Sequence, residues 1–211
     1  MTDRPINFSQ PMIRALLAGR KTRTCRLASS LFAHCRPGDR LWVRESFAPA
    51  GGRDGDWARP SAATHVLLRD GKLRFRSGAG YDVDLGKVYW RATWSPAILM
   101  PRWASRSTLI VEGVEVRRLH DMARREAIRE GPLAFPFSCG PLWLWPGEPG
   151  PPDISPVHAV RASWRRTHGT AGERWEDNPE VVALTFRLLN ADTARSSEEA
   201  SKQECREDQI G

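Results

Sequence analysis

Residues 19–24, Gly19-Arg20-Lys21-Thr22-Arg23-Thr24, set an amine and two hydroxyls just after an apolar helical pattern, Pro11-Met12-Ile13-Arg14-Ala15-Leu16-Leu17-Ala18. A lysine beside a threonine hydroxyl is a workable nucleophile pair when partial burial lowers the amine's pKa enough to make it a base. Such a pair needs a third group, usually a carboxylate, to donate or shuttle a proton. Residue types alone offer many carboxylates and do not choose among them. Lys21 and Thr24 can share a face only if the segment stays turn-like, since three residues apart in a flat strand they point to opposite sides. The cluster also has a plainer reading. Arg20 and Lys21 complement the dipole of a helix C-terminus, threonines after a cap satisfy backbone groups, and the group as a whole can hold an anion.

A second candidate is Arg102-Trp103-Ala104-Ser105-Arg106, where two arginines flank a tryptophan ahead of a strand. That arrangement can stack a base and hold phosphates, or it can plug a barrel mouth with its arginines in solvent. The cysteines (Cys25, Cys35, Cys139, Cys205) show no CxxC spacing, and the five histidines are scattered, so neither a zinc site nor another metal site is expected. Cys25 lies beside the basic turn, where a thiol can ionise more readily or simply fill space.

Charge points to the partner class. The chain carries 32 Lys and Arg against 25 Asp and Glu, a net +7 over 211 residues. From Ala191 on, six acidic and three basic residues make that tail −3, which leaves +10 on the first 190. Arginine pairs bidentately with phosphate and stacks on bases, and nine tryptophans accompany it. No signal-like leader or membrane-length apolar run is present, so the expected setting is cytoplasmic with reduced thiols, and no membrane partner is expected.

The elements that must position these residues read as follows. Arg36-Pro37-Gly38-Asp39 is a turn feeding a strand in which Leu41 and Val43 share one face. Residues 48–63 are turn-rich and read as a loop insertion. Thr64–Leu68 and Lys72–Arg76 are strands about an Asp70-Gly71 hairpin turn, and Lys87–Arg91 is another strand. Ser107–Leu119 is a long strand in which Gly113 shifts the alternation and suggests a β-bulge. Asp121–Glu130 reads as a short helix capped by Asp121. Eight prolines between residues 131 and 156 argue for an extended loop there. Val157–His168 is a helix, and Glu180–Leu188 is a final strand with Val182, Leu184 and Phe186 on one face. Residues 190–211 are polar and read as a disordered tail after a single domain over 1–189. The strands cluster instead of alternating with helices, which favours an α+β class: a small, mostly antiparallel, closed β-barrel decorated with short helices.

Ala18–Thr24 followed by Pro37-Gly38-Asp39 resembles the opening of an ASCH domain, a PUA-like β-barrel family that binds or processes RNA and nucleosides. Met100–Arg106, Glu130-Gly131, Trp164 and Trp175-Glu176-Asp177-Asn178-Pro179 resemble a longer, phage-associated subfamily. The resemblance thus spans about Arg4 to Leu188. It implies a Lys/Thr/Glu triad like that of the small N4-acetylcytidine amidohydrolases, which falls on Lys21, Thr24 and Glu130, with Glu126 as the fallback. Thr24 would attack the acyl carbonyl, Lys21 would activate it, and Glu130 would handle the proton of the leaving amine.

The expected protein therefore has a basic cleft centred on Lys21 and framed by Arg20, Arg23, Arg26, Arg102, Trp103 and Arg106. It would receive RNA, single-stranded nucleic acid or a modified nucleoside, with no cofactor. Three activities fit it: metal-independent hydrolysis of an N4-acylated cytidine-type base, ribonuclease action, and binding without catalysis.

Overall fold

The computed structural model describes residues 2–50, 63–77, 80–82, 93–147 and 150–189. Most of the proposed insertion at 48–63, the Lys87–Arg91 strand and the tail from 190 lie outside them. The chain folds as an α+β domain around a five-stranded mixed sheet. Its strands are β1 (Asp3–Asn7), β2 (Arg23–Leu27), β3 (Arg40–Arg44), β8 (Thr108–Arg118) and β11 (Glu180–Leu189), in the order β1-β3-β8-β11-β2. β1 runs parallel to β3, and the other pairs are antiparallel. A parallel pair needs a crossover, which α1 (Gln10–Leu17) and β2 supply. A four-stranded antiparallel meander follows: β4 (Phe47–Ala50), β5 (His65–Leu68), β6 (Lys72–Phe75) and β7 (Gly80–Asp82). Among the described residues no helix is long and apolar enough to cross a membrane.

The centre of the sheet is the β8–β11 pair, and its bulge sits where Gly113 breaks the alternation. Thr185 pairs with Gly113, but Phe186 pairs with Val111, so Glu112 is the extra residue. The inserted residue swaps parity along β8. Leu109 and Val111 thereby join Val114 on the face that meets Val182, Leu184, Phe186 and the apolar side of α1. The opposite face of β11, with Val181 and Ala183, packs on a second core containing Trp143, Trp145, Trp164 and Trp175. That core brings in α2 (Arg124–Arg129) through Ala127 and α3 (Pro156–Thr167) through Ala159 and Val160.

Three expectations need correction. The sheet does not close into a barrel: among the described residues no ladder joins β1 to β2, and each forms an edge. Pro5, which has no N–H, suits an edge strand. The two edges nevertheless come close, since Arg26 Nη2 on β2 donates to Asn7 O on β1 at 3.1 Å. The proline-dense segment is not structureless: Leu133–Phe135 (β9) and Leu142–Leu144 (β10) form an antiparallel hairpin. Pro132, Pro136, Pro141 and Pro146 flank these strands and never interrupt them, so no ladder donor is lost. Finally, Asp121 does not cap α2. Glu126 accepts the N–H of Ala123 at 2.8 Å, the half of a capping box that reaches back from the third helical position.

The Pro37-Gly38 turn shows why Asp39 follows it. Gly38 sits at φ +92°, the third position of a four-residue turn that prefers glycine, and Asp39 N–H donates to Arg36 O at 3.0 Å. The Asp39 carboxylate accepts N–H groups from Thr2 at 2.8 Å and Arg36 at 3.1 Å, and these hold its pKa below the ordinary value. A folded-state pKa below the unfolded one contributes stability at neutral pH that is lost as pH falls through the acid range. Urea midpoints at pH 7 and pH 3 should therefore differ less in Asp39→Asn than in the parent protein; an unchanged difference would refute this role.

Candidate functional site

The bend after α1 is built by its cap. Arg20 N–H donates to Ala15 O and Gly19 N–H to Leu16 O, a Schellman arrangement, with Gly19 at φ +71°. The chain turns back beneath the helix and is pinned on two sides. Thr22 N–H donates to Arg129 O at the end of α2, and Phe186 N–H of β11 donates to Thr22 O. The turn ends at the cap: residues 20–22 run on without a turn, and Thr24 already belongs to β2, so the turn-like path that the lysine–threonine pair requires does not extend to Thr24.

Lys21 points inward, and its residue is 1% exposed. Its ammonium donates to Glu130 Oε2 at 2.8 Å, to Glu130 O at 2.9 Å and to Arg23 O at 2.9 Å, which uses all three protons. The other carboxylate oxygen of Glu130 accepts Cys25 N–H at 2.7 Å. The sequence pair Glu130-Gly131 has a steric reason. Gly131 sits at φ +103°, and a Cβ there would lie 2.7 Å from Ala15 Cβ and 3.1 Å from Lys21 Cβ. Only glycine lets the end of α2 approach the end of α1 closely enough for the pair to form.

Burial pulls the Lys21 pKa down from its ordinary value, and the charge and hydrogen bond of Glu130 oppose that shift. Burial, reinforced by Glu130, pushes the Cys25 thiol up, so Cys25 is a packing residue with no thiolate character. Arg26 is also pulled down by burial, with Glu130 opposing. Thr24 is fully buried, and its hydroxyl accepts a hydrogen bond from Arg26 Nη1 at 3.0 Å. Among the described hydrogen bonds none joins Thr24 to Lys21. The amine and the acid meet; the alcohol is held by arginine instead.

The fallback acid is engaged elsewhere. Glu126 pairs with Arg117 at 2.7 Å and with Arg23 at 3.2 Å. Burial opposes its ionisation, but the bonds from Arg117 and Ala123 hold its carboxyl below the ordinary range. Arg23 is thereby a buried structural cation, bonded also to Glu115 at 3.0 Å. Arg20 donates to Gly131 O at 3.0 Å and Pro132 O at 3.3 Å, securing the end of α2.

The Arg102–Arg106 segment does not frame Lys21. Arg106 is held by Glu45 through two bonds of 2.8 Å and by Asp70, and burial pushes the Glu45 pKa up while Arg106 opposes. Arg102 pairs with Asp3 at 3.0 Å, and Trp103 packs on the core of the four-stranded sheet. This segment braces one sheet against the other. Among the described residues no three His, Cys, Asp or Glu side chains come together as metal ligands.

Two concavities flank Arg26. A hollow of about 40 Å³ is lined by Cys25, Arg26, Glu130, Trp145, Trp164 and His168, among others. It has room for water but not for a nucleobase. A cleft of about 390 Å³ opens where β1 and β2 fail to pair, and Arg4, Asn7, Arg26, Phe32 and Arg44 line it. That size is within the ~300–1,000 Å³ typical of small-molecule sites. Arg4, Arg44 and Phe8, the last with Lys21 and Arg26 within 5.3 Å and 5.6 Å of its ring, escape a sequence reading. Their signal lies in the parallel β1–β3 register, which sets Asn7 beside Arg44 and is non-local.

No protein-family model matches the chain, and no curated protein matches it. A solved structure similar to it is the crystal structure of hypothetical protein PH0355, at 13% identity and a TM-score of 0.42. That match covers 89% of this chain and 100% of the other. A likeness this slight supports no argument about function.

The Lys21–Glu130 pair can be tested energetically. Lys21→Met strands a buried carboxylate and should cost about 3–5 kcal/mol. Adding Glu130→Gln removes the stranded charge and should recover more than about 1 kcal/mol in chemical denaturation. Strictly additive losses would contradict a direct pair.

Proposed function

We propose that the chain is a nucleic-acid- or nucleoside-binding protein with a PUA-like domain of the ASCH type. The observation that carries this reading is the position of Arg26. Its guanidinium spans the unpaired edges of the sheet, binds the Thr24 hydroxyl and lines both the buried hollow beside Glu130 and the open cleft. A cationic, partly apolar cleft at an incomplete barrel seam suits a base and its backbone. The excess of basic residues supplies the long-range attraction such a ligand responds to.

A second reading is metal-independent deacylation of an N4-acylated cytidine-type base. The specific support is the 2.8 Å contact of Lys21 with Glu130, not Glu126. In that reaction Thr24 Oγ1 adds to the acyl carbonyl and gives its proton to neutral Lys21. The exocyclic amine leaves with a proton relayed by Glu130, and water then cleaves the threonyl ester. Burial of Lys21 favours the neutral amine this requires. The chemistry also needs Thr24 to turn from Arg26 toward Lys21 and the Trp145–Trp164 wall to make room. Ribonuclease action would rest on Arg26, because the Lys21 ammonium is enclosed.

Incubation in EDTA with N4-acetylcytidine and with labelled single-stranded RNA separates the three by product. The expected result is salt-dependent RNA binding that weakens about ten-fold in Arg26→Gln, with a binding-versus-salt slope lower by about one. Absence of binding to either ligand at low salt would overturn the proposal. Where cytidine is released, Thr24→Val should abolish turnover in a folded protein, and unchanged turnover would remove Thr24 as nucleophile.

A further inference from the structure

The cleft between β1 and β2 holds an arrangement of arginines that nucleoside binding alone does not need. Arg4 Nη1 donates to Leu31 O at 2.8 Å, and Arg44 Nη1 donates to Ile98 O at 3.0 Å. Each guanidinium is thus anchored at one nitrogen by a neutral carbonyl, and that of Arg44 also lies over the Trp42 ring, 4.5 Å from its centroid. The Nε–H of both Arg4 and Arg44 is buried and has no acceptor among the described residues. Arg26, the third arginine of the cleft, donates only to Thr24 Oγ1, Cys25 O and Asn7 O. Among the described residues none of the three has a carboxylate within salt-bridge distance. The neighbouring acids are already engaged, Asp3 by Arg102 and Asp39 by the N–H groups of Thr2 and Arg36.

Three cations that share one cleft repel each other and persist because backbone oxygens fix them in place. A guanidinium fixed by a backbone oxygen can still turn its other Nη–H groups to an anion, and three guanidinium groups exceed what a single carboxylate can use. A phosphate presents enough oxygens. Beside them Pro5 and Phe32 provide apolar walls, with a ring on which a base can stack.

We infer that Arg4, Arg26 and Arg44 form a phosphate site, so that the ligand of this cleft is a nucleotide or oligonucleotide and not a bare nucleoside. The inference rests on the nucleic-acid reading above and narrows it. Arg26 lines both this cleft and the hollow beside Glu130, and the sugar and base run along Phe32.

Calorimetry on the full chain with cytidine, CMP, a hydroxyl-ended cytidine tetramer and inorganic pyrophosphate tests it. The expected result is binding about ten-fold or more tighter for CMP or the tetramer than for cytidine. The monoester and the diester arms show which form the arginines prefer. Arg4→Gln and Arg44→Gln should each bring the favoured ligand close to the affinity of cytidine. The parent-protein comparison needs no variant to fold. Equal affinity for cytidine, CMP and the tetramer would overturn the phosphate site while leaving base binding standing. Arginine-dependent binding of pyrophosphate without any preference for cytidine-containing ligands would do the reverse, supporting the phosphate site against the base reading. Displacement of CMP by an oligoglutamate peptide at equal concentration would overturn the inference in favour of an acidic protein partner.

Discussion

The buried contact between Lys21 and Glu130 is the constraint on which the rest of this domain depends. It joins a bend near the start of the chain to a helix end 109 residues later, and it does so without solvent. Two charges removed from water cost several kcal/mol each unless the ammonium's protons and both carboxylate oxygens find partners. Here they do. The ammonium meets three oxygens, and the carboxylate meets one ammonium and one backbone N–H. Because the acceptors include main-chain groups of Arg23 and Glu130, the pair fixes backbone positions as well as side chains. Gly131 and the Schellman end of α1 are preconditions of the same contact, since both permit the close approach it needs.

From this clamp the geometry of the sheet edge follows. With the bend fixed, β2 leaves it to pair with β11, while β1 is committed to β3, so the two outer strands approach each other without sharing a ladder. A closed barrel would bury this seam and cover Arg26. The open seam instead leaves one arginine to bridge it by a single hydrogen bond to Asn7 O. Incomplete closure thus converts a structural edge into a concavity, and the residues of β1 and β3 nearest the seam become its walls.

Much of this was legible in the sequence where the determinants are local. The Pro37-Gly38 turn, the Asp70-Gly71 hairpin and the Gly113 bulge each depend on residues within a few positions, and all three occur as read. The meeting of Lys21 with Glu130 was legible only through the family resemblance, because nothing in the spacing of residues 109 apart selects one carboxylate over another. Arg4 and Arg44 were not legible as a pair, since they line one cleft only because a parallel ladder joins β1 to β3, with a helix and a strand between them in the chain. The proline-rich stretch misled for a different reason. Counting prolines ignores that a three-residue strand fits between two of them.

The arginines show why net charge alone cannot locate a binding surface. Arg23, Arg106 and Arg117 are neutralised by Glu115, Glu126, Glu45 and Asp70, so their charge is spent on holding elements together. Arg20 is bound to carbonyls at the end of α2 and does the work of a helix cap. Arg4, Arg26 and Arg44 are also bound, but their hydrogen bonds go only to neutral oxygens, and Asp39 and Glu130 act on Arg4 and Arg26 from beyond ion-pair distance. An anion arriving at the seam therefore meets cations that are already ordered, and it need not displace a carboxylate to reach them. The distribution of acids, more than that of bases, decides which part of this surface stays electropositive.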